Sequence, residues 1–193
     1  HSGTAYDLRQ NLGLPPETPL IGFFGRFMGP KGFKVLVDAV NHIKHKSTLS
    51  PMLHVVTFGW GGFIREDYAY LEALGLREYF HQMPQTDDMP SALKSVDIVA
   101  MPSRWEACGL LAMEALAAGV PIVGSNCIGL REVLEGSPAQ QISVGDSTAF
   151  ANALIDEIRN LDERTQSFQR YIPEAQARFE IDRPARALEV LYK

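Results

Sequence analysis

The sequence predicts an α/β domain built on a doubly wound parallel sheet, and three observations carry that prediction. Short apolar runs recur at Leu20 to Phe24, Leu53 to Phe58 and Val96 to Met101, and strands covered on both faces read as continuous apolar runs rather than as alternating ones. Segments with helical spacing separate these runs, which is the order that right-handed crossovers between parallel strands require. The runs lead into loops rich in glycine or proline, where strand ends and helix N-termini converge on the ligand-binding edge of such a sheet.

Taken in order, the Pro15-Pro16 turn leads into the strand Leu20 to Phe24, and Gly25 to Gly32 is a loop with glycines and a proline. Apolar positions at Val35, Leu36, Ala39, Val40 and Ile43 predict a helix over Phe33 to Lys46. A strand over Leu53 to Phe58 ends at Gly59-Trp60-Gly61-Gly62, and a helix over Ile64 to Leu74 closes at Gly75. A short strand is expected over Tyr79 to Met83 and a short helix over Met89 to Lys94, with Asp87 or Asp88 as N-cap. The strand Val96 to Met101 is followed by a helix over Leu110 to Ala118 closed by Gly119, then by a strand at Pro121 to Val123. A short helix starts at Leu130, a strand covers Ala139 to Val144, and Asp146 caps a helix near Thr148 to Asn160. From Glu163 the chain reads as a charged helical tail, the one part whose pattern leaves it free to lie off the sheet, with breaks expected near Pro173 and Pro184.

At 193 residues the chain suits one large domain, spanning 1–193, or one half of a two-domain enzyme. Hydrophobic residues make up 46%, enough for a full core, and the net charge of −5 argues against nucleic acid or an anionic membrane as the main partner. No apolar run approaches the ~20 residues of a spanning helix. Cys108 and Cys127 have no metal-ligand spacing, so a reducing cytoplasm is the expected compartment. His1-Ser2-Gly3, with no initiator methionine, reads as a tag remnant.

The densest run is Pro102 to Val123, PSRWEACGLLAMEALAAGVPIV, with Glu106 and Glu114 eight positions apart and Gly109 between them. Glu106 precedes the helix and Glu114 lies in it among apolar neighbours, where a buried glutamate needs a partner. Gly109 and Leu110 open the helix, and first-turn N–H groups suit a phosphate. A paired-carboxylate hydrolase would leave the upstream glycine loop with its cations Arg26 and Lys31 unexplained. Adjacent carboxylates at Asp87-Asp88 point apart, and the five histidines lack zinc spacing, so no metal site is expected. Gly59 to Gly62 lacks the G-x-G-x-x-G spacing of a dinucleotide fingerprint, and no G-x4-G-K-[ST] occurs. Trp60, beside these glycines, is placed equally well in the cleft, at its rim or in the core.

Five segments in order give the chain a recognisable pattern: Gly25-Arg26 with Lys31-Gly32, Val55 to Gly59, Asp97 to Ser103, Glu106 to Val123, and Ile128 to Val133. Together they resemble the C-terminal, donor-binding domain of a retaining GT-B glycosyltransferase of the family-four type, with its "GR…KG" loop, E-x7-E segment and "GGL-x-E-V" helix. The likeness spans roughly Leu20 to Ala151. It departs where Glu106-Ala107-Cys108-Gly109 stands for the family's E-G-F-G, keeping the glycine and exchanging an aromatic for Cys108.

The resemblance implies a Rossmann-like half of a GT-B fold and transfer of a sugar from a nucleoside diphosphate sugar to a hydroxyl acceptor, with no cofactor and no metal. It implies that Arg26 and Lys31 stabilise the leaving diphosphate, each worth ~3–4 kcal/mol of barrier by analogy with oxyanion donors. Glu106 would contact the donor sugar and Glu114 the ribose hydroxyls, since a carboxylate accepts from paired hydroxyls. Gly25, Cys108, Gly109, Leu110, His81 and Met83 would complete the donor site, the last two near the loop that meets the base. Retention would follow a front-face route in which the leaving phosphate helps to deprotonate the acceptor. The resemblance also implies an N-terminal acceptor domain that these residues do not include, so the chain alone is expected to be inactive. The full-length protein is expected in the cytoplasm, with attachment to the inner face of the membrane left open. Two rivals remain: a non-catalytic nucleotide-sugar-binding module and a dinucleotide-dependent oxidoreductase domain.

Overall fold

Helices cover both faces of a six-stranded, all-parallel sheet in the computed structural model, which describes residues 7–180. The strands are β1 (Leu20–Phe24), β2 (His54–Phe58), β3 (Phe80–Met83), β4 (Ile98–Met101), β5 (Ile122–Ser125) and β6 (Gln140–Ile142), in the order β3-β2-β1-β4-β5-β6. The order reverses between β1 and β4, which pair through Ile21 with Ile98 and Gly22 with Val99. At such a switch point the outgoing loops part to opposite faces and leave a crevice.

The helices are α1 (Leu8–Leu12), α2 (Phe33–Lys46), α3 (Ile64–Ala73), α4 (Met89–Lys94), α5 (Leu110–Ala118), α6 (Arg131–Leu134), α7 (Ser147–Arg159) and α8 (Leu161–Phe179). Alternate strand residues point to opposite faces. Ile21, Phe23, Val55, Ile98 and Val123 meet Leu36, Val40, Phe150 and Leu154 of α2 and α7. Leu20, Phe24, Val56, Val99 and Ile122 meet Ala112 and Leu116 of α5 and Phe168 and Tyr171 of α8 on the other face. Each such side chain fully withdrawn from water contributes roughly 1.5–3 kcal/mol.

The predicted bounds of β1, α2 and α5 are those observed, and Asp88 and Asp146 cap α4 and α7 by accepting from Ser91 N and Ala149 N. Helix α1, held by an Arg9–Asp97 ion pair, lies in a stretch where no element is expected. The break near Pro173 is not observed: α8 starts at Leu161 and passes through Pro173. That proline is exposed, so water can serve the carbonyl it leaves unbonded, while Phe168, Tyr171 and Ala175 anchor the helix in the core. The tail is therefore a layer of the fold up to Phe179. His1-Ser2-Gly3 and the break expected at Pro184 lie outside the described residues.

Candidate active site

The site grows from the loops after β1 and β4. A 3₁₀ turn, Gly29–Lys31, follows β1 and ends at Gly32 with φ 68°. A Cβ at Gly32 would overlap the carbonyl oxygen of Pro102, so only glycine lets the two loops close on one another. Arg104 N donates to Pro30 O at 2.7 Å and seals the same junction. Glu106 N donates to Ile128 O at 3.2 Å, and Gly129, with φ 80°, abuts the Glu106 backbone in the same way.

These junctions bring Lys31 and Glu106 together across 75 residues. Lys31 Nζ donates to both carboxylate oxygens of Glu106, at 2.8 and 2.9 Å. Ser103 Oγ donates to Glu106 Oε1 at 2.6 Å. Glu106 is only 8% exposed, so the cation and the hydroxyl are what make an ionised carboxylate tolerable there. Beneath it the buried Cys127 thiol is pushed up from its ordinary pKa, first by burial and then by the Glu106 carboxylate.

A cleft of about 340 Å³ opens beside this pair at the C-terminal edge of the sheet. Gly25, Arg26 and Lys31 line one wall, Phe58, Gly59 and Trp60 the next, Gln85, Thr86 and Met89 the third, and Leu111 and Glu114 the fourth. The Arg26 guanidinium carbon lies 5.9 Å from the centre of the Trp60 ring, and Arg26 joins no ion pair among the described residues. Arg26 is thus a cation held in place by a ring face, and Lys31 one already shared with a carboxylate.

Arg26, Lys31, Gly25 and Glu114 are therefore brought to one cleft, and Glu106 joins it through Lys31. Gly109, with φ 63°, is the N-cap of α5 and carries no side-chain cap, and Ala112 N already donates to its carbonyl at 2.9 Å, so the N–H groups of Leu110 and Leu111 are the ones left without a partner among the described residues. Cys108 and Leu110 are exposed on that same loop and helix start. Leu111, one residue on, is the one that reaches the cleft.

Three sequence readings change. Glu114 is exposed and faces the cleft, so burial does not force a partner on it. His81 stands off the cleft wall: its Nε2 meets His54 Nδ1 at 2.8 Å with the rings stacked. Residue His54 begins β2, so this pair sits toward the opposite edge of the sheet. Burial lowers the pKa of both imidazoles. Met83 packs against the core, and Gln85 and Thr86 take the cleft position expected of it. The sequence reading does not single out Ser103, although its Ser-x-x-Glu spacing to Glu106 is a local signal. Among the described residues no three His, Cys, Asp or Glu side chains gather as a metal site, and no helix is long and apolar enough to cross a membrane.

A switch-point cleft walled by a glycine loop with two cations defines the class, a doubly wound domain with its cleft at the strand ends. The profile of the family described as Glycosyl transferases group 1 matches residues 18–160, and the chain belongs to that family. It is 31% identical over 96% of its length to D-inositol 3-phosphate glycosyltransferase of Corynebacterium urealyticum, covering 45% of that protein. It is 33% identical over 78% of its length to phosphatidyl-myo-inositol mannosyltransferase of Mycobacterium leprae, covering 40% of it. The chain thus spans about half the length of the curated relatives it matches. HepE of Anabaena, solved with UDP, superposes with a TM-score of 0.81 at 25% identity over 95% of this chain and 51% of that one. The C-terminal domain of a group 1 glycosyl transferase from Francisella tularensis shares the fold, with a TM-score of 0.76 over 95% of its chain. The fold is that of the C-terminal domain of a GT-B glycosyltransferase, as the motifs imply.

Proposed function

We propose that the chain is the donor-binding half of a retaining glycosyltransferase that moves a sugar from a nucleoside diphosphate sugar to a hydroxyl acceptor. The observation that carries the reading is the convergence of Arg26, Lys31, Gly25 and Glu114 on one cleft at the switch point. Solved structures of HepE with UDP and with UDP-glucose support a donor of this class.

Departure of the diphosphate builds negative charge while the sugar becomes cationic. Arg26 swings from the Trp60 ring to the phosphates, and Lys31 adds a second cation while keeping contact with Glu106. The α5 N-terminus at Gly109 supplies N–H donors to the same charge. Glu106, oriented by Ser103 and Lys31, accepts from a sugar hydroxyl, and Glu114 accepts from the ribose. With the leaving phosphate held against the donor, it can take the acceptor's proton on the same face, which retains configuration. A second domain in the full-length protein supplies the acceptor.

Calorimetric titration with UDP, GDP, ADP and NAD tests the reading. One nucleoside diphosphate should bind, and Arg26→Ala should weaken it at least tenfold, about 1.4 kcal/mol or more. Binding of NAD alone would overturn it, as would unchanged affinity in the variant. The chain by itself should bind without transferring sugar, and robust transfer by it would remove the need for a second domain.

A further inference from the structure

The 3₁₀ turn Gly29–Lys31 has two sides. Lys31 faces the cleft already described, while Gly29 and Gly32 border a second cavity, of about 330 Å³, on the other side. Met28, Phe33 and Phe63 line that cavity together with three charged residues, Lys34, Asp67 and Arg104. The two cavities have no lining residue in common.

Asp67 is the unexplained group. It lies in the first turn of α3, is 6% exposed, and takes part in none of the ion pairs among the described residues. No side chain or backbone N–H among them donates to its carboxylate, whereas the other buried acids, Glu106 and Glu157, each accept from several donors. Burial raises its pKa and the Lys34 ammonium partly offsets this, so Lys34 acts across a gap wider than an ion pair. The Asp67 oxygens are not among the fully buried unpaired atoms, which are Thr18 Oγ1 and Ser125 Oγ, so they are reached from the cavity that Asp67 lines and find their donor in whatever fills that space.

The chemistry of the walls narrows what that is. Among the lining residues two cations, Lys34 and Arg104, face one carboxylate, which favours an anion over a metal ion or an amine; Glu66 acts on Asp67 from outside the lining, and Lys34 Nζ lies 5.4 Å from the centre of the Tyr70 ring. The carboxylate itself repels a bare anion and accepts hydroxyls. The first turn of α2 opens on the same space and adds N–H groups and a positive dipole end. Apolar side chains with a few convergent polar groups, in a cavity of this size, suit a small organic ligand. We infer that the cavity bounded by Met28, Lys34, Phe63, Asp67 and Arg104 is a second binding site, for a sugar or polyol phosphate, with Asp67 accepting from hydroxyls and Lys34 and Arg104 holding the phosphate. Because Arg104 N also bonds Pro30 O, occupancy there bears on the turn that carries Lys31.

The simpler account is that Asp67 only offsets the α3 dipole, as a first-turn acid can. Titrating the chain with glucose 6-phosphate, glucose and inorganic phosphate separates the two. The site requires saturable binding of glucose 6-phosphate, with glucose and phosphate each at least tenfold weaker. Arg104→Ala should weaken glucose 6-phosphate at least tenfold. Asp67→Asn, which keeps shape and fold, should weaken glucose 6-phosphate at least fivefold while tightening inorganic phosphate, because it removes a repelling charge and a hydroxyl acceptor together. Glu114→Ala should leave glucose 6-phosphate unchanged while weakening the nucleoside diphosphate, so failure of this site is distinguishable from failure of the donor cleft. Absence of glucose 6-phosphate binding, equal binding of inorganic phosphate, or an Asp67→Asn variant that binds as tightly as the parent would each overturn the assignment.

Discussion

Replacing Lys31 with methionine keeps the side-chain stem and removes the ammonium, which leaves the Glu106 carboxylate with the Ser103 hydroxyl as its one remaining side-chain donor. Breaking one side of a sealed ion pair costs ~3–5 kcal/mol and of a solvated one ~0–1 kcal/mol. The Glu106 side chain is 9% exposed and that of Lys31 25%, so the cost here lies between, at about 2 kcal/mol of folding stability. Glu106→Gln keeps an oxygen for Ser103 and leaves only a partly solvated cation, at about 1 kcal/mol. The double variant strands no charge, so the two losses should fall short of adding by about 1 kcal/mol. Urea unfolding of the four proteins, followed by two optical probes, reads this coupling directly. Repeating the cycle with the nucleoside diphosphate at saturation should shrink the coupling, because Lys31 then divides its charge between Glu106 and the phosphates. Losses that add to within ~0.3 kcal/mol without ligand would refute the reasoning, because the pair would then carry nothing.

Three further outcomes follow from the packing. Gly32→Ala should cost about 3 kcal/mol or more in urea unfolding, since it combines a positive φ with an overlap on the Pro102 carbonyl. Arg164→Met should cost about 3–5 kcal/mol by the same assay, because it strands Glu157, which is fully buried and held by three hydrogen bonds from Arg164. The His54–His81 pair should make stability depend on pH. Burial lowers both folded pKa values below the unfolded value of about 6.5, so the unfolded chain binds more protons in that window, and the contribution present above about pH 6.5 is lost as pH falls through the folded values. The melting temperature should fall from about pH 7 to pH 5, and less steeply in His81→Phe; equal slopes would clear the pair of that role.

Much of the architecture was legible because its signals are local. The period of the apolar residues in Phe33 to Lys46, the caps at Asp88 and Asp146, and the stop at Gly119 act over a few residues, and they place helices where the structure has them. Strands β4 and β6 are shorter than their apolar runs predict, since pairing with a neighbour, and not apolarity, decides where a strand stops. Pro173 predicts a break that α8 does not show, because the sequence does not say that its face of the helix is exposed.

The amino-acid order alone sufficed for the sheet class, the glycine loop with Arg26 and Lys31, and the spacing of Glu106 and Glu114. Backbone propensity, periodicity and turn chemistry are written in adjacent residues. Tertiary structure decided which side chains meet. It joined Lys31 to Glu106 across 75 residues, turned Glu114 to the open cleft, moved His81 onto His54, and left Asp67 buried without a donor beside a cavity. Those outcomes depend on strand register, on the direction of each Cβ and on what the packed layers exclude from water, and none of these is a property of a short stretch of chain.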